Sequence, residues 1–461
     1  MHTLPPLVLY LICTILSQAM GQATVPPSAG NVLVLLADDL GVDKVGVYGV
    51  GNDAPATPTI DALARRGVLF SNAWSNPVCS PTRATLVTGR YSFRTTVGEV
   101  VSKGNAGLPL SEFTLPELLD TRPDLGYSHA WIGKWHLNDV QNGGLMAANL
   151  AGFDHYEGAQ NGIYPSKAVP SQRAYYQWDK VTNGERSVST TYNTVETVDD
   201  ALAWISKTSS PWVCFVAFCA PHTPIHEPPA ALHTVELPDL CAHDAPLPYF
   251  NATVEALDHE MNRLLEGLGD EASETTVVFL GDNGTAGQAS TPPFGLKHSK
   301  GSVYEGGVNV PLIITSPHVA RPGSECAALV NTTDLFATVA ELAGIDLAVS
   351  MPPDVTLDSV SWLPYLADPD LPSLRPYIFT EIFRPNGLNP SQSKRAIRDS
   401  RYKLIRVHID GKKDLFQLYD LASDPFEEVD LLRTLPKPLP AEIEDAVRQL
   451  SREMTALLAS P

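Results

Sequence analysis

A group of polar residues in this 461-residue chain stands at or just beyond the ends of short apolar runs. The group comprises Asp38, Asp39, Lys134, His136, His222, Asp282 and Asn283. Carboxylate and amide oxygens are the ligands that hard cations such as Ca²⁺ or Mg²⁺ prefer. The two aspartates and the Asp-Asn pair therefore predict an oxygen-liganded metal site, and zinc is disfavoured because sulfur and imidazole at metal spacing are absent. The lysine and the histidines could supply positive charge and proton transfer.

Taken singly, each of these clusters has a plainer alternative. Asp38-Asp39 precedes Gly41, and Asp282-Asn283-Gly284 is a common turn sequence. A lysine in a glycine-rich segment is usually solvated, and a histidine between prolines usually belongs to a loop. The functional interpretation rests on the fact that all the clusters follow short apolar runs.

The segment around Cys79 could place a nucleophile at the beginning of a helix. Pro81 suits the first turn of a helix, and Gly89 suits its end. Free N–H groups at that end favour a bound oxyanion, and Arg83 lies one turn further on. The alternative for the cysteine alone is a buried structural residue in a helix cap.

The apolar runs themselves predict four strands buried on both faces: residues 31–37, 128–133, 212–218 and 275–280. Helix-period stretches lie between them, at residues 59–66, 195–205 and 254–268. Alternating strands and helices predict an α/β fold with a doubly wound, mostly parallel sheet. Because ligands bind beyond the carboxyl ends of such strands, the four polar clusters are expected to meet at one edge.

Composition narrows the possible partners and the location of the protein. The formal net charge of −20 disfavours binding to nucleic acid or to an anionic membrane surface. Residues 1–23 lack charged side chains and contain a short apolar run, so a secretory signal peptide is predicted and the protein is expected to be exported. No other stretch approaches about 18 consecutive apolar residues, so no membrane span is expected in the mature chain. Five of the six cysteines remain after cleavage, and this odd number suggests that Cys79 is chemically special.

The pattern C-x-P-x-R, formed by Cys79, Pro81 and Arg83 and followed by Leu86-Val-Thr-Gly-Arg90, resembles the signature of the type I sulfatases. In that family the cysteine is oxidised to Cα-formylglycine during export. Further similar motifs occur in family order: Asp38-Asp39-x-Gly41, Gly133-Lys134-Trp-His136, Ala220-Pro-His222, Gly281-Asp282-Asn283-Gly and Lys300-Gly-Ser-Val-Tyr-Glu-Gly-Gly307. Residues 396–405 and 418–425 look like strands of the family's C-terminal subdomain.

The resemblance implies an alkaline-phosphatase-like fold with a smaller C-terminal antiparallel-sheet subdomain. We expect a signal peptide at residues 1–23, a catalytic domain at 24–365 and the C-terminal subdomain at 366–461. An amphipathic helix carrying Ile443, Val447, Leu450, Met454 and Leu457 is expected to pack on the small sheet. The region from Val140 to Ser187 matches no family motif and is expected to help set substrate choice.

The resemblance also implies a role for each candidate residue. Asp38, Asp39, Asp282, Asn283 and the modified Cys79 would hold one Ca²⁺ ion, and Arg83 would hold the hydrated aldehyde that acts as nucleophile. Lys134 and Lys300 would bind the sulfate oxygens. His222, together with Lys300, would protonate or stabilise the leaving group, and His136 would take a proton from the hydrated aldehyde.

The function implied is hydrolysis of an aryl or carbohydrate sulfate monoester, after maturation by a formylglycine-generating enzyme. One alternative is a phosphonate monoester or phosphodiester hydrolase that uses the same modified cysteine. Another is a catalytically silent binder of sulfated glycan with Cys79 unmodified.

Overall fold

The computed structural model describes residues 30–102, 104–164, 169–209 and 211–460. The predicted signal peptide lies outside these residues. In the part of the chain that is described, no helix is both long and apolar enough to cross a membrane.

The strands belong to a large sheet, a two-stranded ribbon and a separate four-stranded sheet. In chain order they are β1 (Asn31–Ala37), β2 (Val68–Phe70), β3 (Ala73–Trp74), β4 (Ser128–Gly133), β5 (His155–Gly158), β6 (Trp178–Thr182), β7 (Glu185–Ser189), β8 (Trp212–Ala217), β9 (Thr275–Gly281), β10 (Leu312–Thr315), β11 (Ser324–Cys326), β12 (Val330–Asn331), β13 (Ile378–Arg384), β14 (Gln392–Arg398), β15 (Tyr402–Ile409) and β16 (Leu415–Asp420). The four strands predicted from apolar runs are β1, β4, β8 and β9.

The large sheet has ten strands in the order β11-β2-β10-β9-β1-β8-β4-β5-β6-β7. Its centre consists of the four predicted strands, which are neighbours and parallel to one another. Antiparallel pairs occur only away from this centre, where β10 joins β9 and β2 and where β6 joins β5 and β7. The prediction of a mostly parallel α/β sheet is therefore confirmed.

Helices cover both faces of this sheet. In chain order the α-helices are α1 (Pro58–Arg66), α2 (Cys79–Thr88), α3 (Ser92–Thr95), α4 (Leu115–Asp120), α5 (Ala147–Leu150), α6 (Asn193–Ile205), α7 (Pro246–Gly267), α8 (Glu305–Val308), α9 (Leu335–Leu342), α10 (Leu347–Ser350), α11 (Leu363–Ala367), α12 (Leu431–Thr434) and α13 (Ala441–Ala459). Alternate residues of β1 enter two separate cores. Val32 and Val34 pack with α2, α4 and α9, whereas Leu33 and Leu35 pack with α1, α6 and α7.

The C-terminal sheet is antiparallel throughout, with the order β13-β14-β15-β16. Helix α13 lies on it, because Leu450 and Met454 pack in one buried cluster with Ile397 and Leu404 of the sheet. The expected antiparallel subdomain and its terminal helix are both present. The boundary at residues 365 and 366 stays a prediction; these two residues lie within α11, and the small sheet begins at Ile378.

Buried ion pairs join the small sheet to the segment that follows Lys300. The ammonium of Lys403, in β15, lies 3.0 Å from a carboxylate oxygen of Glu305 and 2.8 Å from one of Glu427, and it has no exposed surface. The indole of Trp74 also donates to Glu305. Burial and repulsion from Glu305 raise the pKa of Glu427 to about 7, although Lys403 opposes this shift. Glu305 also lies 3.5 Å from the guanidinium of Arg398, so Glu427 depends on Lys403 more than Glu305 does.

We expect Lys403→Met to lower the free energy of unfolding by about 3–5 kcal/mol, because it leaves the buried Glu427 without its cation and Glu305 with Arg398 alone. Lys394→Met is the matched control, since Lys394 is exposed on the neighbouring strand β14 and its loss should change stability by about 0.5 kcal/mol or less. Urea unfolding of both variants measures the difference. Equal stability of the two variants would show that the ion pairs do not join the sheets.

Candidate active site

Backbone hydrogen bonds hold the ends of the four central strands side by side. The N–H of Asp282 donates to the carbonyl of Ala37, the residue before Asp38, at 2.9 Å. The N–H of Asp38 donates to the carbonyl of Ala220 at 3.1 Å, and that of Lys134 to the carbonyl of Ala217 at 2.7 Å. The polar residues predicted at separate strand ends are thus brought together in one place, as expected from parallel strands.

Helix α2 brings Cys79 to the same place. The helix begins at Cys79, and it ends where Gly89 adopts a left-handed conformation with φ of 67°. The thiol sulfur lies 3.1 Å from Nδ1 of His136. The predicted position of the cysteine in the first turn of a helix is therefore observed.

Three buried carboxylates surround the same point. The side-chain ligand atoms of Asp38, Cys79 and Asp282 all lie within 4.8 Å of one another. Asp39 is joined to this group, because its N–H donates to Asp282 at 3.2 Å and its carboxylate accepts from the amide of Asn283 at 2.9 Å. All the predicted metal ligands are adjacent.

The donor set fits a hard divalent cation. Oδ1 of Asp38 and Oδ1 of Asn283 are buried and have no hydrogen-bond partner among the described residues. Burial and the charge of Asp38 raise the pKa of Asp282 to about 7, although Arg83 and Lys134 oppose this shift. Unpaired buried oxygens and crowded carboxylates are features that an oxygen-binding cation such as Ca²⁺ would satisfy.

Three basic side chains neutralise part of the negative charge. Arg83 donates twice to one oxygen of Asp282, at 2.7 and 3.1 Å, and also to the carbonyl of Lys134. The ammonium of Lys134 contacts Asp38, and that of Lys300 lies 2.5 Å from Asp39. Lys134 is fully buried, whereas Lys300 keeps 20% of its side chain exposed. Lys300 is therefore at the opening of the site.

Burial raises the pKa of the Cys79 thiol, and the nearby Asp38 adds to this effect while Lys134 opposes it. The unmodified thiol is therefore a poor nucleophile at neutral pH. Burial and the charges of Lys134 and Arg83 lower the pKa of His136 well below its usual value. Its imidazole is neutral and can accept a proton from the group at position 79.

Two residues of the site hold strained backbone conformations. Asp39 has φ of 72° and His136 has φ of 64°, in the left-handed region that residues other than glycine rarely adopt. Strain of this kind persists where the surrounding structure enforces it, and it is common at functional sites.

His222 is located on the loop after β8. Its Nδ1 lies 2.6 Å from the carbonyl oxygen of Thr223, and its Nε2 lies 3.9 Å from a carboxylate oxygen of Asp39. Nδ1 therefore donates to the backbone, and Nε2 faces the carboxylates. Burial lowers the pKa of His222, although Asp39 opposes the shift.

Sequence analysis did not identify Tyr175, whose hydroxyl lies 2.8 Å from the carbonyl oxygen of Cys219 and 2.7 Å from that of His222. Its ring stacks on His226, which is buried among tyrosines. Thr285 was also missed; its hydroxyl donates to Asp43 at 2.6 Å and accepts from the N–H of Gly41 at 3.1 Å. These residues fix the loops that carry the candidate groups, and no motif in the sequence indicates the contacts.

The remaining cysteines form no disulfide within the described residues. Cys214, Cys219 and Cys326 are buried free thiols, and Cys241 is exposed. The odd number of thiols that remain after removal of the predicted signal peptide is thus not resolved into pairs.

Two known protein families match most of the chain. A family described as Sulfatase matches residues 30–345, and one described as N-sulphoglucosamine sulphohydrolase, C-terminal, matches residues 296–457. Among curated proteins, the N-acetylgalactosamine-6-sulfatase of Sus scrofa is 31% identical over 386 residues, which are 76% of this chain and 68% of that protein. Arylsulfatase A of Homo sapiens is 29% identical, covering 95% of this chain and 89% of that protein.

Solved structures show the same fold. Ps i-CgsB in complex with k-i-k-neocarrahexaose superposes with a TM-score of 0.76 at 25% identity, over 93% of each chain. The PsFucS1 sulfatase from Pseudoalteromonas sp. has a TM-score of 0.73 at 23% identity, over 99% of this chain and 94% of that one. The chain is thus similar to sulfatases over nearly its whole described length.

Proposed function

Because the chain belongs to the sulfatase family and is a sulfuric ester hydrolase, we propose that it hydrolyses a carbohydrate or aryl sulfate monoester with formylglycine at position 79 and one Ca²⁺ ion. The observation that carries the proposal is the position of Cys79, which lies at the beginning of α2, 3.1 Å from His136 and next to Asp38 and Asp282. The similar structure of Ps i-CgsB with an oligosaccharide supports a saccharide as the substrate.

The proposed metal ligands are Asp38, Asp39, Asp282, Asn283 and the modified residue 79. The unpaired oxygens of Asp38 and Asn283 and the raised pKa of Asp282 support this assignment. When bound, the Ca²⁺ ion supplies positive charge beside the sulfate, and the hydrated aldehyde supplies the attacking hydroxyl.

Lys134 and Lys300 bind the sulfate oxygens in this proposal. They are ammonium groups fixed beside Cys79, and such preorganised cations stabilise charge that develops on a transferred group. Lys300 lies at the opening of the site, so an entering sulfate ester can contact its ammonium group. Arg83, which is fixed by Asp282 and by the carbonyl of Lys134, holds the hydrated aldehyde in place in this proposal.

The two histidines move protons in opposite directions. His136 is neutral and lies next to position 79, so it accepts a proton from the nucleophile. His222 presents Nε2 near Asp39 while its Nδ1 is fixed by a backbone carbonyl, and it gives a proton to the leaving oxygen with Lys300 nearby. Burial lowers the pKa of His222, and Lys134 and Lys300 add to this effect while Asp39 opposes it. In this proposal, the negative charge of the bound sulfate ester favours the protonated form of His222 that the transfer requires.

Maturation requires a formylglycine-generating enzyme and export through the predicted signal peptide. The direct test is to produce the chain with such an enzyme and to determine the mass of the peptide containing residue 79. We expect an aldehyde there, and a higher kcat/KM for 4-nitrophenyl sulfate than for an aryl phosphonate. Preference for the phosphonate would instead support the phosphonate hydrolase, and a retained thiol in protein made with the competent enzyme would support the silent binder.

Tyr175→Phe should reduce kcat by up to roughly tenfold, because the loop carrying His222 loses the hydroxyl that holds its carbonyl. The reduction should be larger for alkyl sulfates than for 4-nitrophenyl sulfate, since a poor leaving group depends more on protonation by His222. Turnover of both substrates measures the effect.

The matched control is Tyr127→Phe, because the hydroxyl of Tyr127 donates to the carbonyl of Gly30, at the end of β1 opposite to Asp38. It should leave the ratio of the two rates unchanged. An equal loss for both substrates in Tyr175→Phe would mean that Tyr175 does not position the proton donor.

A further inference from the structure

A large cleft lies directly beside the candidate active site. Its volume is about 1050 Å³, and most of its lining comes from residues 138–164 and 169–188. These residues largely coincide with the part of the sequence in which no catalytic motif is recognisable. They therefore form a concave surface next to the residues of the candidate site.

Three contacts join the cleft to the catalytic residues. Gly162, in the cleft wall, lies close against the side chain of Lys134, because a Cβ atom added to this glycine would be 3.4 Å from Cε of the lysine. The carbonyl of Gln160 accepts from the N–H of His136 at 2.6 Å. The N–H of Val101 donates at 3.0 Å to Ser80, the residue after Cys79. The cleft wall thus lies against Lys134, His136 and Ser80, which surround or adjoin position 79.

The cleft wall is rich in amide side chains, which can donate to and accept from hydroxyl groups. The amide residues that line it are Asn105, Asn138, Gln141, Gln160, Asn161 and Gln177. Asn138 is held in place because its amide nitrogen donates to Gln160 at 2.9 Å. Its amide oxygen is buried without a hydrogen-bond partner among the described residues, so it can accept from a ligand.

Tyr164 supplies an aromatic surface where the cleft meets the site. Although it lines the cleft, 56% of the residue is exposed. Burial at the hydroxyl end raises the pKa of its phenol, and the charges of Lys134 and Lys300 act on that phenol. The residue is therefore open to a ligand, and its phenol lies within range of the charges of Lys134 and Lys300.

We infer that this cleft binds an oligosaccharide that carries the sulfate ester, with Tyr164 against the sugar ring next to the scissile bond. The inference rests on the proposed function and extends it, because it assigns the leaving group to a chain of sugars rather than to a small alcohol. Pockets for drug-sized ligands measure about 300–1,000 Å³, so this cleft has room for more than one sugar ring. Such pockets orient their ligands with aromatic faces and a few fixed polar groups.

Calorimetric titration of the full chain carrying Cys79→Ala tests the inference without turnover. The probes are three pairs, each a sulfated monosaccharide and a hexasaccharide containing it, prepared from chondroitin sulfate, carrageenan and heparan sulfate. We expect at least one hexasaccharide to bind roughly tenfold or more tightly than its monosaccharide. Adding Tyr164→Ala should remove most of that gain, because the inference places this aromatic ring against the sugar next to the scissile bond.

Phe416→Ala is the matched control, because Phe416 is a partly exposed aromatic residue of β16 that does not line the cleft. It should keep the full gain from chain length. The inference is overturned if no hexasaccharide binds more tightly than its monosaccharide, or if the gain persists in Tyr164→Ala. Failure of the modified, unsubstituted enzyme to release sulfate from any probe would contradict the proposed function instead, and it would leave the binding result standing.

Discussion

The neutralisation of three carboxylates buried at one edge of a parallel sheet is the constraint on which the site depends. Asp38, Asp39 and Asp282 have almost no contact with solvent, and their mutual repulsion has to be offset within the protein. Arg83, Lys134 and Lys300 offset part of it through direct contacts. Unpaired oxygens remain on Asp38 and Asn283, so the arrangement suits an additional cation.

The fold supplies this arrangement through simple geometry. Strands β9, β1, β8 and β4 are adjacent and parallel, so the residues that follow them meet at one edge. Helix α2 then presents Cys79 to the same edge, with Arg83 one turn later in contact with Asp282. The small C-terminal sheet acts at a distance, because Lys403 holds Glu305 only five residues after Lys300. Lys300, which we propose to bind the sulfate, is thereby linked through a short segment to the small sheet.

Much of this could be predicted from the sequence, because fully buried strands are continuous apolar runs. The strand at Ser128–Gly133 begins and ends where the run does, and the strand at Trp212 ends one residue earlier than predicted. The helix expected from Val254 in fact begins at Pro246. Its first two turns were not predicted because they lack the apolar spacing that identified the rest. The C-x-P-x-R pattern indicated the position of Cys79, since proline and glycine mark the ends of that helix.

What the sequence did not indicate depends on contacts between distant segments. The hairpin of β6 and β7 has mixed exposure, so neither strand shows a clear period of two. The hydroxyl of Tyr175 contacts carbonyls more than forty residues away, and Tyr164 is relevant only because the fold brings its segment against Lys134.

The most direct test of the central claim is to measure the calcium content of the purified, dialysed protein by elemental mass spectrometry. The Asp39→Asn variant is measured in parallel. The account predicts about one Ca²⁺ per chain in the unsubstituted protein and little in the variant, whereas equal and negligible calcium in both would contradict it.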